Sequence, residues 1–180
     1  MIEIFHNVLT EDHRAEFYMH AINANYKIGW DDTATFEYRQ YPCLHADISR
    51  ADWRQLDFIA GIQNEPMKDL VKNLAFDKAV INLATPSSIQ FPHTHGTSTV
   101  ITYYINPDWK KEYYGETIFY DDSMTHCIGT SLYHTNSAVI FDGKIPHSIR
   151  PASHIAPSYR FSLSVFFRQK NFIEEAKNSS

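Results

Sequence analysis

The sequence predicts an α+β protein, mainly β, with helices first and a β sandwich or barrel after them in one domain. Two textures and the composition carry this. From residue 76 onward, "KAVINLAT", "STVITYYIN", "GETIFYDD", "SAVIFDG" and "YRFSLSVFFRQ" are short runs rich in Val, Ile, Tyr, Phe and Thr, separated by Pro, Gly, Asn and Asp. Such punctuation marks an all-β core. Before residue 76, apolar residues recur at helical intervals behind capping residues. The aromatic content of 14%, with 11 Tyr and 12 Phe, suits pleated, half-buried surfaces. A length of 180 residues favours one domain: a mostly helical buttress over 1–75, a β core over 76–170 and a polar tail over 171–180.

Each element has a local reason. Thr10 caps a first helix starting at Glu11, with Glu11 and Asp12 in the turn where negative charge meets the positive end of the helix. Phe17, Ala21 and Ile22 form its apolar stripe. Ser49 caps a second helix, "RADWRQLDFIAGI", with Trp53, Leu56 and Ile59 or Ala60 on one side. "PMKDLVKNLA" reads as a third, with Pro66 at its first position. The helices are expected to buttress one sheet. In "YRFSLSVFFR", Phe161, Leu163, Val165 and Phe167 share one face, while Arg160, Ser162 and Ser164 share the other. A strand patterned this way packs its apolar face and turns the polar one toward something wet or charged.

Composition narrows the function. Hydrophobic residues are 43% and charged residues 21%, ordinary for a soluble globular protein, and the net charge of −5 argues against a nucleic-acid partner. Only Cys43 and Cys127 occur, so there is no disulfide framework and no CxxC metal motif. "MIEIFHNVLT" lacks the basic and apolar regions of a signal peptide, and no apolar run approaches the ~18 residues of a membrane span. A cytoplasmic protein without a membrane partner is the expectation.

"FPHTHGTSTVITYYIN" places His93 and His95 two apart, just before a strand. On extended backbone the two imidazoles share a face, and imidazole is the commonest protein ligand for a transition metal. Two surface histidines on a loop remain the alternative for any isolated HxH. His147 follows a strand, Ala138 to Phe141, and a turn at Asp142-Gly143, with Pro146 stiffening its approach. Arg160, with a hydroxyl at Ser162, can grip a carboxylate, since guanidinium binds one bidentately. "HAD", His45 to Asp47, has a similar His-x-acid spacing, but it stands before a helix cap and outside the β region, so we do not read it as a ligand pair.

Taken in order, the HxH before a strand, "YYIN-DW-GET-F", "VIFDGKIPH" and the R-x-S of the last strand resemble the iron(II)/2-oxoglutarate-dependent dioxygenase superfamily. The branch they most resemble is the prolyl-4-hydroxylase-like one, and the resemblance covers residues 76–169. It implies a double-stranded β-helix, a cupin-like jelly roll, holding one iron. It also implies iron(II) and 2-oxoglutarate as cofactor and cosubstrate, ascorbate as an auxiliary reductant, and a peptidyl-prolyl, amino-acid or other small-molecule substrate. By position, His93 takes the first ligand place and His147 the last. Arg160 would pair with the distal carboxylate of 2-oxoglutarate, assisted by Ser162, and Tyr104 would contact the same cosubstrate. Tyr103 points the other way and is read as packing. Gly115 and Glu116 match a structural turn, and "HIAPS", with His154, looks like a small insertion.

One position departs from the family. His95 stands where an aspartate is usual, so the 2-His-1-carboxylate set would become a three-histidine site. Two other readings stay open: a three-histidine cupin dioxygenase that uses no 2-oxoglutarate, and a non-catalytic jelly-roll binding module. Residues 108–114, "DWKKEYY", are either a lid over the mouth or a plain solvated loop.

Overall fold

A computed structural model describes residues 1–29, 43–86, 88, 90–96 and 98–169. The strands are β1 (Ile2–His6), β2 (Lys27–Ile28), β3 (Leu44–Asp47), β4 (Leu74–Ala84), β5 (Thr99–Tyr104), β6 (Thr117–Tyr120), β7 (Cys127–Ser131), β8 (Ser137–Asp142), β9 (His147–Ile149) and β10 (Arg160–Gln169). They form a seven-stranded sheet, β1-β8-β5-β10-β4-β3-β2, and a three-stranded sheet, β7-β6-β9. All the named strand pairs are antiparallel. Two antiparallel sheets with long crossovers between them make the expected jelly-roll core.

The helices are α1 (Glu11–Asn23), α2 (Arg50–Leu56), α3 (Phe58–Gly61) and α4 (Glu65–Val71). They lie against the outer face of the large sheet. One apolar cluster joins Phe17 and Ala21 of α1, Trp53 and Leu56 of α2, Phe58 of α3 and Met67 and Val71 of α4 to Leu163, Val165 and Phe167 of β10. The alternation of β10 thus does what its pattern implies, with its other face turned to the space between the sheets. Phe58 is fully buried, edge-on to Phe17 at 5.6 Å and to Tyr103 at 5.9 Å. Phe58→Ala should cost about 3–5 kcal/mol, because cavity formation adds to the lost transfer energy. Denaturant titration of the metal-free protein measures it, and a cost under about 1 kcal/mol would contradict the packing described.

Several local readings change. The stretch read as mostly helical also contains β1, β2 and β3, too short and too weakly patterned to register. β1 pairs with β8, and β3 with β4, so long-range pairing decides their state. The single helix expected over 50–62 breaks at Asp57, which takes a left-handed conformation (φ 39°), closes α2 and caps α3 through Ala60 N–H. Ile22 is exposed rather than part of the α1 stripe. β7 and β9 were not anticipated, and β4 begins at Leu74, inside the expected third helix. The tail over 171–180 lies outside the described residues. Among the described residues, no helix is long and apolar enough to cross a membrane.

Candidate metal centre

His93, His95 and His147 converge between the two sheets. Their ligating nitrogens all lie within 4.8 Å of one another, and the ring centroids are 4.5 to 4.9 Å apart. Backbone pairing sets this up. His93 and His147 exchange both backbone hydrogen bonds at 3.0 Å, an isolated antiparallel bridge on the edge of β9. His95 N–H then donates to Gly143 O at 2.7 Å, and Gly143 N–H to Ser98 O at 2.8 Å. A Cβ on Gly143 would fall 2.8 Å from Ser98 O and 3.2 Å from His95 Cβ. The glycine after Asp142 therefore lets the β8–β9 turn lie directly on the loop that carries His95.

The tautomers follow from the partners. Nδ1 of His93 lies 2.9 Å from Phe91 O, and Nδ1 of His147 lies 3.0 Å from Ile145 O. A carbonyl oxygen only accepts, so each Nδ1 carries the proton, the tautomer in which Nε2 is the nitrogen able to ligate a metal. Burial, reinforced by His93 and Lys78, holds the pKa of His95 down at about 3. Burial and the two neighbouring imidazoles hold His147 well below 6.5. A tight triplet of imidazoles is a donor set that suits a divalent transition metal with bonds of about 2.0–2.1 Å, reachable here by small side-chain movements.

These depressed values carry a pH consequence. Below about 6.5 the unfolded chain takes up protons at these histidines while the folded protein resists, so stability present above pH ~6.5 is lost as pH falls toward the folded values. The melting temperature of metal-free protein should drop between about pH 7.5 and pH 5, with a smaller slope in His95→Gln. A flat or opposite trend would contradict the depressed values of His95 and His147.

Around the triad the wall is apolar on one side. Phe166 of β10 lies edge-on to His95 at 4.8 Å, Phe141 of β8 lies 4.7 Å from His147, and Val100, Phe119 and Val139 complete that cluster. On the other side a cavity of about 270 Å³ opens, lined by the three histidines and, among others, His45, Lys78, Asn82, Gln90, Thr117 and Ser164. Of these six only Ser164 was anticipated, on the polar face of the last strand. The alternation in "KAVINLA" already puts Lys78, Val80 and Asn82 on one face. The "HAD" segment is β3, not a loop before the β region, and His45 and Asp47 line the cavity wall beside Asn82 and Val80 without joining the histidine cluster.

Arg160 occupies the same interior face as Ser164 and Phe166, at the other end of β10. It is fully buried. Nε donates to Gly115 O at 2.8 Å, and Nη1 to Ser162 Oγ at 3.0 Å. The guanidinium lies 4.9 Å from the ring centre of Tyr133 and 5.7 Å from that of Tyr104. Nη2 is buried with no partner. Burial lowers the arginine pKa, opposed by Tyr133, Tyr104 and Glu116, but a guanidinium keeps its proton. Gly115 has φ +89°, and a Cβ there would meet Arg160 Cδ at 2.9 Å, so the turn needs glycine for both conformation and space. Tyr104 is buried beside this group. Its hydroxyl donates to Ser131 O at 3.1 Å and lies 3.1 Å from Thr117 Oγ1. Tyr103 faces the helices, as expected for packing.

The segment over 108–114 is neither a free lid nor a plain solvated loop. Trp109 is buried, packs at a tilt on Tyr133 at 4.7 Å and donates from Nε1 to Tyr114 O at 2.8 Å, roofing the Arg160 end.

The two sheets form a double-stranded β-helix with a histidine cluster between them. No protein-family model and no curated protein sequence matches the chain. Solved structures do. A prolyl hydroxylase from Trichoplax adhaerens, in complex with a peptide fragment of the hypoxia inducible factor oxygen degradation domain, superposes with a TM-score of 0.66 at 13% identity over 94% of this chain and 84% of that one. A Pseudomonas putida prolyl-4-hydroxylase gives 0.63 at 16% identity over 93% and 92%. HygX from Streptomyces hygroscopicus, with nickel and 2-oxoglutarate bound, gives 0.64 at 7% identity over 94% and 83%. At these identities the likeness is one of fold.

Proposed function

We propose that the protein is an iron(II)- and 2-oxoglutarate-dependent oxygenase that hydroxylates a C–H bond of a peptidyl-prolyl, amino-acid or other small substrate. The observation that carries this is the presence of two groups that call for a ligand: three imidazoles whose nitrogens lie within 4.8 Å of one another, and a fully buried arginine with an unsatisfied Nη2. An iron ion bound there, with dioxygen and 2-oxoglutarate, supplies the oxidising chemistry that couples decarboxylation of the keto acid to hydroxylation.

The chain's own residues do the rest. His93, His95 and His147 hold the metal, and the carbonyls of Phe91 and Ile145 lock two of the rings in the ligating tautomer. With no carboxylate in the set, the site keeps one more positive charge than a 2-His-1-carboxylate centre, which favours a dianionic cosubstrate. Arg160 and Ser162 anchor its distal carboxylate through a preoriented guanidinium. Tyr104 borders that anchor as the further cosubstrate contact, its hydroxyl positioned by Ser131 O and Thr117 Oγ1. Phe119, Phe141 and Phe166 exclude water from one side of the metal.

Incubation of iron-loaded protein with 2-oxoglutarate in air, with succinate quantified, tests the reading. Succinate release above a metal-free control, stimulated by a substrate panel, is expected. No release and no 2-oxoglutarate binding would contradict it. A three-histidine centre working without 2-oxoglutarate leaves the buried Arg160 Nη2 unexplained, which is why we rank that alternative second.

A further inference from the structure

Two buried side-chain polar atoms among the described residues have no hydrogen-bond partner: Nη2 of Arg160 and Oγ of Ser131. Both residues are 0% exposed. A buried group left unpaired is costly, and native interiors rarely keep one without a reason. The two orphans belong to one neighbourhood. Tyr104 OH donates to the backbone carbonyl of Ser131. Tyr104 stands opposite Ser162 in the β5–β10 register, and Ser162 Oγ accepts from Arg160 Nη1. Tyr133, two residues beyond Ser131, packs against both the Tyr104 ring at 4.5 Å and the guanidinium.

The side-chain direction of Ser131 follows from its pairing. Ser131 stands opposite Thr117 in the β6–β7 register, so the two side chains share one face of the small sheet. Thr117 also stands opposite Ile149 on β9, and both line the cavity that His147 helps form. The row Ile149, Thr117, Ser131 therefore runs across the small sheet from the strand that carries His147 to the orphaned hydroxyl. A carboxylate accepts at two oxygens, whereas a guanidinium N–H and a serine O–H both donate.

We propose that Ser131 is a binding residue for the anion that Arg160 anchors: its hydroxyl donates to the second oxygen of the distal carboxylate, so one ligand group satisfies both orphans. This rests on reading Arg160 as the anchor of 2-oxoglutarate. It makes Ser131 a determinant of specificity for a keto diacid over a keto monoacid, since the monoacid leaves both donors unpaired.

The test is anaerobic calorimetry on nickel-loaded protein with 2-oxoglutarate and with 2-oxopentanoate, which keeps the keto-acid head and lacks the distal carboxylate. In Ser131→Ala, 2-oxoglutarate should bind about tenfold more weakly, the loss of one hydrogen bond to a charged group. Affinity for 2-oxopentanoate and for nickel should not change. The melting temperature of metal-free Ser131→Ala should equal or exceed that of the wild type, because an unpaired buried hydroxyl has been removed. If both acids weaken equally, or 2-oxoglutarate binds as tightly as to the wild type, the serine assignment fails while the 2-oxoglutarate reading stands. If the wild type binds no 2-oxoglutarate, that reading fails and this inference falls with it.

Discussion

His147→Ala should strip the protein of its metal and its turnover together. His147 is the most buried of the three histidines, its backbone is bridged to His93, and its ring sits at 4.5 Å and 4.9 Å from the other two. No neighbouring side chain among the described cluster can replace it, since the group of potential ligands contains only these three residues. Loss of an outer partner of a metal ligand costs about 10–100-fold in affinity; loss of the ligand itself should cost at least the upper end of that range. The fold should survive, because the helix-backed core lies on the opposite face of the large sheet. Metal analysis after dialysis, together with succinate release, measures both effects. A His147→Ala protein that retains one equivalent of metal and wild-type turnover would remove the centre from this cavity.

Arg160→Met should abolish useful binding of 2-oxoglutarate while leaving metal affinity intact. A truncated buried charge pair typically costs about 2–5 kcal/mol, roughly 30-fold to several thousand-fold in Kd. The metal-free variant should be no less stable than the wild type. Arg160 is fully buried, leaves Nη2 unpaired and, among the described residues, makes two hydrogen bonds, to Gly115 O and Ser162 Oγ. Replacing a poorly satisfied buried cation by an apolar side chain of similar length is often neutral or stabilising. This combination, undiminished stability with lost cosubstrate affinity, separates a ligand anchor from a structural arginine. Thermal melts with and without 2-oxoglutarate read it directly, since a ligand that binds only the folded state raises the melting temperature. Equal stabilisation of variant and wild type by 2-oxoglutarate would contradict the role.

The residues that carry the chemistry were legible because strand alternation and turn chemistry are local. Period two in "YRFSLSVFFR" separated Arg160 and Ser162 from the packing face, and the structure keeps that separation. The turn at Asp142-Gly143 marked the approach to His147, and the close contact of Gly143 with the His95 loop gives the reason for glycine there. The parts that were not legible depend on pairing between distant segments. β3 is four residues long and acquires its identity only by pairing with β4, so "HAD" was placed outside the β region although it walls the cavity. β9 is three residues long, its register set by β6 and by the bridge to His93. Ser131 sits at the end of a strand whose other residues are mostly exposed, a pattern with nothing to announce a buried hydroxyl. Trp109 and Tyr133 came together from separate loops to enclose Arg160, a contact that sequence spacing does not encode.

Anomalous diffraction from crystals loaded anaerobically with iron(II) and 2-oxoglutarate tests the central claim most directly. The account predicts one iron peak about 2.0–2.2 Å from a ring nitrogen of each of His93, His95 and His147, with a 2-oxoglutarate carboxylate on the Arg160 guanidinium. A peak bound by other residues, a His95 ring turned away from the ion, or a dicarboxylate held elsewhere than at Arg160 would contradict it.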